Sequence, residues 1–210
     1  MSDISAREEM CEIGRRLWQR NLVGATEGNL SQRLGDNRIL CTPSGMSKGH
    51  LEPESLVIID LAGSPLTIGI PSTEIKMHLG IYRERPDCNA IVHAHPIVAT
   101  ALALADVPFP NDVLPEATKV LGNVAYVPFA ESGTEEVPNA IKPFLKNHKT
   151  FVLRNHGAVT LGKTLMDAFN RMETLERLAS VVLNARTAGE VRPLAREASE
   201  RLQPYLNGDL

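Results

Sequence analysis

No stretch of the chain stays apolar for the roughly 20 residues that a membrane-spanning helix requires; charge, glycine or proline interrupts every run. The opening residues, Met1-Ser-Asp-Ile-Ser-Ala-Arg-Glu-Glu9, lack a basic segment followed by an apolar core, so no secretory leader is expected. Cysteine is scarce. Cys11, Cys41 and Cys88 are odd in number and without paired spacing, which argues against a disulfide framework. They are expected to be small buried apolar residues in a reducing, cytoplasmic protein. No basic run invites nucleic acid and no acidic run makes a solvating tail; the formal net charge is −3, with positive residues scattered. Neither a P-loop nor a dinucleotide fingerprint is present, which argues against nucleotides. Internal repeats and low-complexity linkers are also missing.

What is present suits a globular enzyme-sized domain. Apolar residues make up 43% and charged residues 22% of 210 positions, an ordinary balance. That length supports one domain, 1–210, with a full core, and is short for two. Ser5 and Glu8 make a capping-box pair, and Met10, Ile13 and Leu17 recur at helical spacing, predicting a helix over 5–20. Leu30–Leu34 and Arg38–Thr42 flank the turn residues Gly35-Asp-Asn37 and predict a hairpin. Leu56–Leu61, Ala90–His95, Val124–Val127 and Thr150–Arg154 read as strands. Helices are expected after Ser72, over 98–105, after Ser132 and Glu135 to about 146, after Thr164 to Gly189, and over 194–202. Interleaved helices and strands, with hairpins among the strands, imply a mixed α/β domain with helices covering a sheet, unlike a regular doubly wound fold.

Four segments could carry chemistry. His93-Ala-His95 ends a strand. Residues two apart share a face, so both imidazoles project to one side, within reach of a common ion. By itself His-x-His also describes surface or hydrogen-bonded histidines. His156, before Gly157, ends another strand-like run and could complete a three-histidine set with an open metal position, or be a simple turn histidine. Ser72, Thr73 and Glu74 open a helix, where backbone N–H groups and hydroxyls suit an anion; a first-turn glutamate also simply favours the helix dipole. His78, one turn on, is assigned a structural role. The loops Thr26-Glu-Gly-Asn29 and Thr42-Pro-Ser-Gly45 offer neutral donors to phosphate oxygens, and taken alone are ordinary turns.

Together and in order, Gly28-Asn-Leu-Ser31, Thr42-Pro-Ser-Gly45, Pro71-Ser-Thr-Glu74, Ala90-Ile-Val-His-Ala-His95 and Asn155-His-Gly157 resemble the class II aldolase/adducin family, in particular its L-fuculose-1-phosphate aldolases. The likeness runs from about residue 5 to 186. It implies a three-layer α/β/α sandwich around a mixed, largely antiparallel sheet, and a cyclic homotetramer with sites near subunit interfaces. It implies one zinc ion per subunit on His93, His95, His156 and Glu74, with Glu74 also the catalytic acid/base. It places a substrate phosphate on Gly28, Asn29, Ser44, Gly45, Ser72 and Thr73.

The activity implied is cleavage of a ketose 1-phosphate to dihydroxyacetone phosphate and an aldehyde through a metal-stabilised enediolate. Two departures bear on it. The fuculose enzymes place a tyrosine shortly after a proline where this chain reads Leu114-Pro-Glu-Ala-Thr-Lys119, leaving Glu116 or Lys119 as substitutes or a different reaction. Their mobile-tail tyrosine has Tyr205 as its counterpart, unless Tyr205 is an ordinary tail aromatic. The same enediolate chemistry serves pentulose-phosphate 4-epimerases, decarboxylases of phosphorylated keto-acids and a thio-sugar dehydratase. A non-catalytic adducin-like domain should have lost the metal set, which is complete here, and a zinc hydrolase leaves the phosphate-type loops unexplained.

Overall fold

A computed structural model describes residues 3–35 and 37–210. Seven strands form one sheet in the order β3-β2-β1-β4-β7-β6-β5. They are β1 (Asn29–Arg33), β2 (Arg38–Cys41), β3 (Val57–Asp60), β4 (Ala90–Ala94), β5 (Val124–Val127), β6 (Thr150–Leu153) and β7 (Gly157–Gly162). Every neighbouring pair is antiparallel except β5 with β6.

The period-two rule sorts the strand residues into two cores. Leu40, Ile58, Ala90, Val92 and Ala94 face one core, shared with α1 (Asp3–Gln19), α3 (Ile97–Leu104), α4 (Pro115–Leu121) and α6 (Leu165–Ala188). Ile39, Ile59, Ile91, Val159 and Leu161 face the other, shared with α2 (Ile75–Glu84) and α5 (Glu136–Ile141). Helices thus cover both faces of a mixed, largely antiparallel sheet, the α/β/α sandwich expected. Cys11, Cys41 and Cys88 are free and buried, one in α1 and two at the sheet, and burial raises all three thiol pKa values, to about 11, 12 and 11. Among the described residues no helix is long and apolar enough to cross a membrane.

Local chemistry explains most element boundaries. Thr164 caps α6 through a complete capping box with Asp167, worth about 1 kcal/mol, and Gly189 ends that helix. Two expectations need correction, and two elements lie where none was expected. Helix α1 already includes Asp3, whose carboxylate pairs with Arg38, so Ser5 lies inside the helix and does not cap it. Helix α5 starts at Glu136 and gives way after Ile141 to a 3-10 turn ending at Phe144, because Pro143 has no N–H to continue the regular hydrogen bonding. The segment after Leu114 is helix α4, with Pro115 at its first turn, where a missing N–H is tolerated. The residues after His156 form β7, central in the sheet and buried throughout. The C-terminal helix α7 is short, Arg196–Glu200.

Candidate active site

The central strands bring the three histidines together. β4 pairs with β1 and β7, placing Asn29 opposite His93 and Ala158 opposite Ala94. His93 lies on the α2 side of β4 with Ile91 and is fully buried. His95 follows the last strand residue, and its backbone N–H is held by the Leu22 carbonyl at 2.8 Å. His156 sits in the tight β6–β7 connection, where Asn155 adopts a φ of 59° and the His156 N–H bonds the Leu153 carbonyl. Ring centroids are 5.0 Å apart for His93 and His95, 4.8 Å for His93 and His156, and 5.1 Å for His95 and His156. One ring nitrogen from each lies within 4.8 Å of the others, the one such donor cluster among the described residues.

Glycine makes this convergence possible. A Cβ on Gly28, where φ is +69°, would lie 2.7 Å from the His93 carbonyl oxygen; one on Gly157 would lie 2.7 Å from His95 Cδ2 and 2.5 Å from the Ala94 oxygen.

Glu74 precedes α2 and closes the cluster. Its Oε2 is 3.2 Å from His93 Nε2 and its Oε1 3.2 Å from His156 Nε2. The Asn29 amide donates to Oε2 and the Ser132 hydroxyl to Oε1, each at 2.7 Å. Burial raises the Glu74 pKa, but the charge of His93 and hydrogen bonds from His156, His93 and Ser132 outweigh it, holding the carboxyl well below the usual carboxylate range. Burial, then the neighbouring His93 and His156 charges, push His95 down to about 4.

The donor set fits a divalent cation. His93 Nδ1 lies 2.9 Å from the Ala158 carbonyl, to which it donates, so Nε2 is the nitrogen turned to the cluster, open to a proton shared with Glu74 or, in its place, a metal ion. His95 Nδ1 lies 3.6 Å from a Glu27 carboxylate oxygen, and its Nε2 lies 3.2 Å from His93 Nε2. Two inward lone pairs at that separation repel unless a proton or a metal ion lies between them. Three imidazoles and one carboxylate suit zinc and several other divalent transition metals.

A cleft of about 310 Å³ opens beside the cluster. Its walls include Gly28, Asn29, Ser44, Gly45, Ser72 and Thr73, along with Glu74, His95 and His156. All six residues expected at a phosphate are therefore on one surface. The Pro43–Pro71 bridge and the Ser72 N–H to Thr42 carbonyl bond, 3.2 Å, tie two of the loops together. Larger hollows, one beside Arg20 and Glu173 and one beside Lys142, hold no comparable donor set.

Tyr205 is not among the residues that line this cleft within one chain. It lies 42% exposed in a 3-10 turn, with the Lys119 ammonium 5.6 Å from its ring centroid. Glu116 and Lys119 are on exposed positions of α4 and also lie outside the cleft walls. His78 is structural, as assigned: buried on α2, with Nδ1 2.6 Å from the Ser31 hydroxyl, which also meets Tyr82 at 2.9 Å. Sequence reasoning missed Ser132, whose spacing to Glu135 imitates a helix cap; Glu27, which sits inside a loop singled out only for its neutral donors; and Lys48, which lines the cleft without belonging to a recognisable motif.

Comparison with known proteins agrees with this geometry. Residues 8–183 match the Class II Aldolase and Adducin N-terminal domain family. A 3-oxo-tetronate 4-phosphate decarboxylase of Haemophilus influenzae is 36% identical over 185 residues, covering 86% of this chain and 88% of that protein. An L-fuculose phosphate aldolase of Methanococcus maripaludis is 37% identical over 173 residues, covering 82% and 93%. The crystal structure of YgbL from Klebsiella pneumoniae superimposes with a TM-score of 0.90 at 32% identity, covering 96% of this chain and 99% of that one.

Proposed function

Because the chain belongs to the class II aldolase and adducin family, we propose that it is a metal-dependent lyase that decarboxylates a 3-oxo sugar-acid phosphate of the 3-oxo-tetronate 4-phosphate type. The observation that carries this reading is the make-up of the cleft. It joins an acid/base carboxylate and a metal-ligating set to phosphate-type loops, yet within one chain it contains no tyrosine. Retro-aldol cleavage must remove a proton from the hydroxyl that becomes the aldehyde. Carbon dioxide leaves without any such proton, so the absent phenol is no handicap to decarboxylation.

The two reactions share their intermediate. In a 3-oxo-tetronate 4-phosphate, the C1–C2 bond breaks, its electron pair passes to C2 and on to the C3 oxygen, and carbon dioxide departs. One proton added at C2 then gives dihydroxyacetone phosphate. His93, His95 and His156 would hold a divalent cation, proposed to be zinc, which when bound would supply Lewis-acid stabilisation of the charge at that oxygen, worth several kcal/mol. Glu74 is the acid/base group, charged at rest, relaying a proton from water to C2. Ser132 and Asn29 hold its two oxygens apart and fixed. Gly28, Asn29, Ser44, Gly45, Ser72 and Thr73 bind the phosphate, anchoring the end of the substrate that does not react.

The second reading is the aldolase, cleaving an L-fuculose-1-phosphate-like ketose, and it is favoured by the Methanococcus relative. The purified protein should be offered both substrate types. Carbon dioxide and dihydroxyacetone phosphate from the 3-oxo acid, with little aldehyde from the ketose, is the expected result; aldehyde release without carbon dioxide would make the protein an aldolase.

A homotetramer belongs to the same proposal. Leu66, Ile68 and Ile70 expose 53%, 100% and 75% of their surface on the loop between β3 and α2, an apolar cost that burial against another subunit would relieve. Light scattering gives the oligomeric state directly.

A further inference from the structure

Lys48 is an unusual residue to find in the cleft wall. It opens a 3-10 turn, Lys48–His50, and is 2% exposed. Its Nζ donates to the Thr26 carbonyl at 2.7 Å and to the Met46 carbonyl at 2.6 Å. An ammonium has three N–H groups, so one remains. Buried charges are ordinarily paired, and among the described residues no carboxylate comes within ion-pair distance of this one.

The two carbonyls identify where that charge is held. Thr26 leads into Gly28 and Asn29, and Met46 follows Ser44 and Gly45, so the ammonium sits between the two loops assigned to phosphate. Its backbone is clamped. A Cβ on Gly14 of α1 would lie 2.5 Å from the Lys48 oxygen, and one on Gly49 would lie 2.6 Å from the Trp18 ring. The hydrogen-bond donors on those loops are neutral, while Glu27, on the first of them, and Glu74 also line the cleft and repel an anion. Burial draws the Lys48 pKa down to about 8, against the raising effect of Glu74.

We infer that Lys48 is the cationic contact for the substrate's phosphate dianion, bracing both phosphate loops while its remaining N–H faces the ligand. The inference rests on the proposal that these loops bind phosphate and adds the charge that their neutral donors lack. The rival role is a brace alone.

Titration calorimetry with inorganic phosphate, on the full chain with its metal bound, separates the two. Lys48→Met should bind phosphate at least about tenfold more weakly than wild type, with metal content unchanged. Equal affinity in Lys48→Met and wild type would overturn the inference and leave the phosphate loops standing. No phosphate binding by wild type would overturn both. If Lys48→Met does not fold, amine acetylation of the wild-type protein replaces it: phosphate should slow modification of Lys48 relative to exposed Lys163, and equal rates with and without phosphate would overturn the assignment.

Discussion

The Ser132 hydroxyl donates to Glu74 Oε1 at 2.7 Å across 58 residues of sequence, joining the loop before α5 to the residue that opens α2. This bond fixes one oxygen of a carboxylate whose other oxygen is held by Asn29. Because Ser132 is exposed, the bond is worth about 1 kcal/mol. Ser132→Ala should therefore lower kcat about fivefold while leaving metal content and Tm unchanged. Unaltered kcat would remove Ser132 from the positioning of Glu74.

His95 is the most exposed of the three imidazoles, its side chain 24% accessible, so replacing it perturbs the core least. His95→Ala should keep a native circular dichroism spectrum and lose metal affinity by more than about 100-fold, beyond the loss typical of an outer partner. Metal analysis after dialysis against a chelator measures it. Full occupancy in the variant would show that these histidines do not hold the ion.

Gly157 tests the packing beneath the site. A methyl group there meets the Ala94 oxygen and the His95 ring edge, so one of them must move. Gly157→Ala is expected to cost about 1–3 kcal/mol of stability and to weaken metal binding, read by urea unfolding and metal titration. A variant as stable and as fully loaded as wild type would contradict the tight fit.

His78 supplies a pH signature away from the cleft. Full burial, aided by the His93 charge, lowers its pKa to about 3. Between the ordinary histidine value of about 6.5 and about 3, the unfolded chain binds a proton that the folded chain refuses. Its stabilising effect is complete above about 6.5 and is lost as pH falls, by up to about 1.4 kcal/mol per unit. His95, near 4, titrates in the same window, so the comparison is with His78→Gln, whose stability should fall less steeply between pH 6.5 and 4. Urea unfolding in chelator measures this; parallel curves would refute it.

Much of this arrangement was legible in the sequence because the signals were local. The β1–β2 hairpin announced itself through the turn residues between its two strands, and α6 through Thr164 and Gly189. The three histidines, Glu74 and the six loop residues were identified as an ordered set, and they do meet. β7 escaped notice because a strand buried on both faces shows no alternation and this one begins and ends in glycine. α4 was hidden by Pro115, which starts a helix as readily as it ends one. Ser132 and Lys48 were invisible for another reason: the former satisfies a local capping pattern but bonds over a long range, and the partners of the latter come from two separate loops.

The ladder between β1, β4 and β7 fixes where His93 stands through main-chain bonds alone, with Asn29 and Val159 as its cross-strand neighbours. Backbone pairing, not coordination, therefore builds the seat. Refolding should proceed at the same rate in chelator as in excess metal, and the ion should be a late arrival that can be withdrawn and exchanged without dismantling the chain around it.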